Sequence, residues 1–195
     1  MFIVIYCRPF GGFFMTSQPK TYLGGRTYMI VATATLPVDK PRAARAIVWG
    51  GLLAGLGDIT FAFVVSGLRG VGPVRVLQSV AGGLLGRAAA EGGLATAALG
   101  AVLHLLIAFV WATVFWLASR KLRVLVRHPV VCGLLYGAAV YFFMYFVVLP
   151  LSAIYFKPVF TLWTVLLNSE GHMLLVGLPI ALAASKFTDK TGRER

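Results

Sequence analysis

Charge is scarce in this sequence, and acidic charge scarcer still. Only 12% of the 195 residues are charged, with six Asp and Glu against 18 Lys and Arg. A soluble globule of this length needs more charge than that to cover its surface, which excludes that class. Cysteine is nearly missing: Cys7 and Cys132 stand far apart without a metal-type spacing, and Cys132 falls inside an apolar run. Neither a disulfide framework nor a zinc site is expected. The chain has no "HExxH", no "GxSxG" and no glycine loop with a phosphate-cradling lysine. No reaction type is favoured, and the chain reads as non-enzymatic. The amino terminus, "MFIVIYCRPFGGFFMTSQPK", lacks a basic start, and its apolar run stops after about half a dozen residues, too short for a secretion-signal core. Residues 1–40 hold no sustained period and read as a poorly ordered extension, ahead of a second plausible start at Met29.

What the chain does have is apolar length. Hydrophobic residues make up 59% of it and the mean hydropathy is +0.86, the balance of a polytopic membrane protein. A bilayer crossing needs about 20 apolar residues. Four runs qualify, at 46–67, 94–118, 129–151 and 161–185, within one transmembrane domain spanning 41–186 and followed by a basic tail at 187–195. The fold class expected is all-α: four transmembrane helices in a bundle, with one interfacial or re-entrant amphipathic helix between the first two.

The net charge of +12 could point to nucleic acid, but the cations sit between apolar runs rather than in a patch interleaved with stacking aromatics. Lys40, Arg42 and Arg45 precede the first run, Arg120, Lys121, Arg123 and Arg127 separate the second and third, and Lys186, Lys190, Arg193 and Arg195 follow the fourth. The positive-inside rule then puts both termini in the cytoplasm, and the lipid bilayer, not nucleic acid, is the expected partner. The connection at 73–92, "PVRVLQSVAGGLLGRAAAEG", opens on a helix-favouring proline and has helical periodicity. Val74, Leu77, Ala81, Leu84 and Ala88 share one side, with Arg75, Gln78, Ser79 and Gly82 toward the other, and Arg87 and Glu91 stand at pairing distance on a helix. A solvated linker helix and a re-entrant lid both fit this pattern.

Ionisable groups inside a span are expensive and tend to face a bundle interior or wet cavity. At about 1.5 Å rise per residue, Asp58, His104, Glu170 and His172 all come roughly 14–16 Å from the outer ends of their spans. Steps of three and four place Asp58 in a seam with Gly51, Gly55, Ala62 and Ser66, and His104 in another with Ala97, Ala101, Ala108 and Ala112. Gly133, Gly137 and Tyr141 repeat the pattern in the third run. Asp58, His104, Tyr141 and His172 are therefore expected to converge. Asn168, four residues before His172, can join them, whereas Glu170, two residues before it, points elsewhere and can meet Arg75 or Arg87. Blander readings stand beside these: Asp58 as hydrogen-bonded packing glue, His104 as a structural imidazole, Tyr141 and Tyr145 as ordinary lipid or core aromatics, and His128 as an interfacial flank.

The stretches "GGLLAGLGDITFAF", "HLLIAFVWATVF", "CGLLYGAAVYFFMYFVVLPLSAI" and "NSEGHMLL" resemble the YagU-like family of bacterial inner-membrane proteins over about residues 50–185. The resemblance implies a four-span protein of the bacterial inner membrane, with a histidine in the second span and a Glu/Gly/His feature opening the last. The chain departs from that pattern in its compact connection between the first two spans and its amino terminus. The resemblance implies no biochemical activity.

The residues support a non-enzymatic site in which Asp58, His104, Asn168, Glu170, His172 and Tyr141 bind or relay a proton, cation or small polar solute. A structural or assembly subunit of a membrane complex is the alternative. No cofactor is expected. Haem b is a third reading, with His104 and His172 as axial ligands from separate helices. Four spans make a narrow pathway alone, so a homo-oligomer or larger complex is expected.

Overall fold

Apolar runs this long must satisfy every backbone polar group internally, and helices do so. The computed structural model describes residues 40–154 and 161–188, and they are helical with no strand among them. The readings made for residues 1–39 and 189–195 lie outside the described residues. Helix α1 covers Lys40–Gly67, α2 Pro73–Leu85, α3 Gly93–Lys121, and a short α4 Val124–Arg127. Helix α5, Pro129–Phe143, passes through a π turn at Met144–Val148 into α6, Leu149–Leu151; α7, Leu162–His172, passes through a second π turn at Met173–Gly177 into α8, Leu178–Thr188. Four of these stretches are long and apolar enough to cross a membrane: Arg42–Gly67, Gly93–Lys121, Pro129–Leu151 and Leu162–Phe187. The first three expected runs fall within them, and the fourth, 161–185, does so from Leu162 on, with Thr161 as the cap of α7.

The two π turns share one cause. Each opens six residues before a proline, Met144 before Pro150 and Met173 before Pro179. Proline has no N–H and its ring crowds the carbonyl four residues back; widening one turn of the helix relieves the clash. The Leu149 and Leu178 N–H groups accordingly reach back five residues, to the carbonyls of Met144 and Met173.

Small residues set the packing, as is usual where lipid removes any hydrophobic drive between helices. The buried core is alanine-rich, with Ala54, Ala112, Ala181 and Ala184 around Phe115, Val140, Val176 and Ile180. Phe115 is the largest fully buried side chain; Tyr136 stands edge-on to it at 4.9 Å and donates its hydroxyl to the Trp111 carbonyl at 2.7 Å, tying the third span to the second. Gly137, with Gly177 facing it, lets the third and fourth spans approach closely: a Cβ at Gly137 would run into the His172 carbonyl and lie 2.6 Å from Met173 Cα.

Helix α2 opens at Pro73, where the periodic segment was expected to begin, and the structure sets which residues it buries. Val76, Gln78, Ala81 and Gly82 are its buried residues, while Val74 and Leu84 are 42% and 63% exposed. Gln78 donates to the Gly93 carbonyl at 3.0 Å and reaches Thr96 Oγ1 at 3.5 Å, so it faces the protein together with Ala81 of the apolar row, while Val74 and Leu84 face out. A buried amide needs such partners. Close approach to α3 is permitted at Gly100, where a Cβ would meet the Leu77 backbone. The far end of α2 is held by the Ala153 N–H, which donates to the Gly83 carbonyl at 2.8 Å. Arg75 spends its guanidinium on Gln78 and the Ala90 carbonyl. Residues Gly86–Ala90 form a tighter 3-10 turn, which breaks the four-residue stacking of Arg87 on Glu91, and both side chains are exposed.

Candidate functional site

Asp58 stands two turns inside the far end of α1, on the side of that helix that meets α3 and the fourth span. Its carboxylate lies 4.0 Å from His104 Nε2, on α3, and 3.7 Å from His172 Nδ1, at the end of α7. By the helical rise, these residues lie roughly 14, 16 and 15 Å from the ends of their spans at Gly67, Gly93 and Leu162, so three spans bring three ionisable groups to one depth. All three side chains are about four-fifths buried, at 19%, 15% and 20% relative exposure.

The backbone fixes each ring. His104 Nε2 lies 2.9 Å from the Gly55 carbonyl and His172 Nδ1 lies 2.9 Å from the Asn168 carbonyl. A carbonyl only accepts, so those nitrogens carry the hydrogens, leaving His104 Nδ1 and His172 Nε2 as the basic positions of the neutral rings. Both Asp58 separations exceed hydrogen-bond length, so the carboxylate acts on the rings through charge. A carboxylate between two neutral imidazoles carries one negative charge, and each proton taken onto a free ring nitrogen raises the total by one.

Asp58, His104 and His172 line one cavity of about 120 Å³, walled further by Val80 of α2 and by Trp111, Met144 and Val176. That volume holds several waters or one small polar solute, and is below the roughly 300–1,000 Å³ that encloses a drug-sized ligand. Met144 opens one π turn, Val176 sits in the other and His172 immediately precedes it, so both widened turns border the cavity. π turns inside α-helices often mark functional sites.

The other expected residues divide. Tyr141 is buried with its ring edge-on to His172 at 5.4 Å, supporting the imidazole from outside the cavity wall. Asn168 serves through its backbone: its side-chain amide donates to the Thr164 carbonyl at 2.6 Å, and its own carbonyl holds His172. Glu170 is exposed on the outer side of α7, away from the cavity, and Arg75 is engaged within α2 and its following turn. Gly171 is buried against the Phe61 ring, keeping α7 close to α1 beside the site. Among the described residues no group of three His, Cys, Asp or Glu side chains is placed to hold a metal ion.

Val80, Trp111 and Met144 were not anticipated. Trp111 was within reach, since it lies seven residues after His104 and so on its face. Met144 is marked only indirectly, by the turn that Pro150 widens.

The fold and cavity together define an all-helical polytopic membrane protein with an acid–imidazole cluster at mid-depth. Comparison with protein-family models, with curated proteins and with solved structures gives no match.

Proposed function

We propose that this protein is a non-enzymatic, four-helix-bundle protein of the bacterial inner membrane that binds or relays a proton, a cation or a small polar solute at Asp58, His104 and His172. The observation that carries the reading is the convergence of those three groups from three spans on one cavity. A buried carboxylate attracts a cation, and the two free ring nitrogens give a proton two further stations within the same wall. Tyr141 and the Asn168 carbonyl orient His172. Helix α2 acts as a re-entrant lid: its buried glutamine ties it to α3 and its Val80 closes the cavity. Basic flanks favour cytoplasmic termini by the positive-inside rule, an orientation in which α2 covers the site from the outer side. A relation to the YagU-like family fits this topology.

The test is flux in proteoliposomes. Wild-type protein moves protons or a monovalent cation down an imposed gradient, and the Asp58→Ala, His172→Asn double variant reduces that flux at least tenfold. Unchanged flux in a variant that keeps its helical content overturns the reading. A second reading, an assembly subunit, is favoured by one observation, the exposed Glu170 on a membrane-spanning helix. An acid there is costly in lipid unless another chain covers it. In that case Glu170→Gln shifts the oligomeric state or loses a partner while flux is absent throughout. The haem alternative predicts a Soret band from the purified protein, and its absence removes it.

A further inference from the structure

A second concavity lies on the outside of the molecule, between α1 and α8. It encloses about 700 Å³ and is lined by Trp49, Leu53, Leu178, Leu182, Lys186 and Phe187, among others. The two helices touch at Gly50, where a Cβ would stand 3.4 Å from Ala183 Cβ and from Ile180 Cα. Beside that contact their outer faces diverge and leave the groove.

The spacing along each wall is regular. Leu178, Leu182 and Lys186 are four apart, and Arg45, Trp49 and Leu53 are four apart on α1, so each set forms one row on its helix. The helices run in opposite directions here, and both rows end in a cation at the same end of the groove. Leu53 and Leu178 form the deep apolar end; Trp49 and Leu182 come next, Lys186 forms the lip, and Arg45 follows one turn beyond Trp49 in the α1 row. Trp49, Leu53 and Leu182 are 51%, 51% and 44% exposed, and Arg45 and Lys186 are exposed as well. From Leu178 to Lys186 the groove extends roughly 12 Å by the helical rise. Half of a hydrocarbon core about 30 Å thick is close to that length, so the groove matches one leaflet.

We infer that this groove is a binding site for a phospholipid with an anionic headgroup, in the leaflet at the basic end of the molecule. An acyl chain covers the two leucine rows, the tryptophan sits at headgroup level, and the phosphate is met by Lys186 and Arg45. Basic pockets between transmembrane helices are a recurring way to hold anionic headgroups. A second copy of the chain is disfavoured as occupant by symmetry: a two-fold contact through this patch sets each cationic lip facing its own equivalent.

The experiment uses the full chain in vesicles of phosphatidylcholine doped with brominated phosphatidylglycerol or, separately, brominated phosphatidylcholine, reading quenching of Trp49 as the difference between wild type and Trp49→Phe. Wild type selects the anionic probe. With about 1 kcal/mol per cation near the surface, equivalent to roughly fivefold each, Lys186→Glu lowers that preference by at least fivefold and the Arg45→Glu, Lys186→Glu pair abolishes it. Lys186→Arg keeps it, which separates lost charge from lost fold. Lys121→Glu, at the end of α3, also leaves it intact, which separates this groove from a general attraction to basic flanks. Equal quenching of Trp49 by both probes in wild type overturns the inference, as does an equal loss of preference in Lys121→Glu. A protein dimer that shields Trp49 from both probes also overturns it.

Discussion

Replacing Gly137 by alanine puts one methyl group where the third and fourth spans meet backbone to backbone. The added Cβ collides with the His172 carbonyl and stands 2.6 Å from Met173 Cα, and neither neighbour is the flexible end of a side chain. Alanine is otherwise better than glycine in a helix interior by roughly 0.5–1 kcal/mol. Overpacking a tight contact costs typically 1–3 kcal/mol, and a contact made entirely with backbone belongs at the upper end of that range. The net effect expected for Gly137→Ala is a destabilisation of about 1–2 kcal/mol. Gly83→Ala supplies the internal comparison. Its Cβ would have only Ser152 Cβ nearby, at 3.8 Å, so the helical preference acts alone and the change is neutral to stabilising by up to about 1 kcal/mol. Reversible unfolding in mixtures of dodecylmaltoside and SDS, followed by far-ultraviolet circular dichroism, reads the two against wild type. If both substitutions stabilise alike, Gly137 is not in backbone contact with the fourth span, and the placement of His172 argued from it fails.

Two further outcomes follow from individual hydrogen bonds. Tyr136→Phe removes the hydroxyl that bridges to the Trp111 carbonyl at 2.7 Å and lowers stability in the same assay by about 0.6–1.5 kcal/mol, the range for one interhelical bond. A loss of several kcal/mol would show that more than this bond depends on the hydroxyl. Gln78→Leu removes the two bonds that tie α2 to the start of α3, so α2 loosens beside the cavity. A cysteine at Val80, in a background with Cys7 and Cys132 changed to serine, then reacts with a membrane-impermeant thiol reagent at least tenfold faster; an unchanged rate means α2 is held by other contacts.

The spans were legible because the bilayer demands a length that few other settings require, and the depth of Asp58, His104 and His172 followed from counting along them. Direction around the helix was legible only where small residues marked a seam. Gly51, Gly55, Ala97, Ala108, Ala112, Gly133 and Gly137 are buried, whereas Ala62, Ser66 and Ala101 of the same rows are only half-buried. The two rows of α2 were legible, but which of their residues meet the protein was not: Gln78 and Ala81, from opposite rows, are both buried, and Leu84 is exposed. In lipid the helix gains nothing by hiding Leu84, whereas Gln78 must find partners. Asn168 illustrates a different gap. The four-residue spacing to His172 was the informative feature, but it places a backbone carbonyl, not an amide, against the ring. Sequence patterns describe side chains, and main-chain groups that do the same work leave no mark in them.

The central claim is that Asp58 acts on both imidazoles within one cavity. The chain has three histidines, which makes nitrogen NMR of labelled protein in bilayers a direct reading: His104 and His172 line the cavity, and His128 is an exposed interhelical residue. Replacing Asp58 by asparagine removes the charge and keeps the shape. The account predicts that the ring-nitrogen resonances of His104 and His172 both move while those of His128 stay in place. Unmoved resonances of both cavity histidines in Asp58→Asn would contradict it.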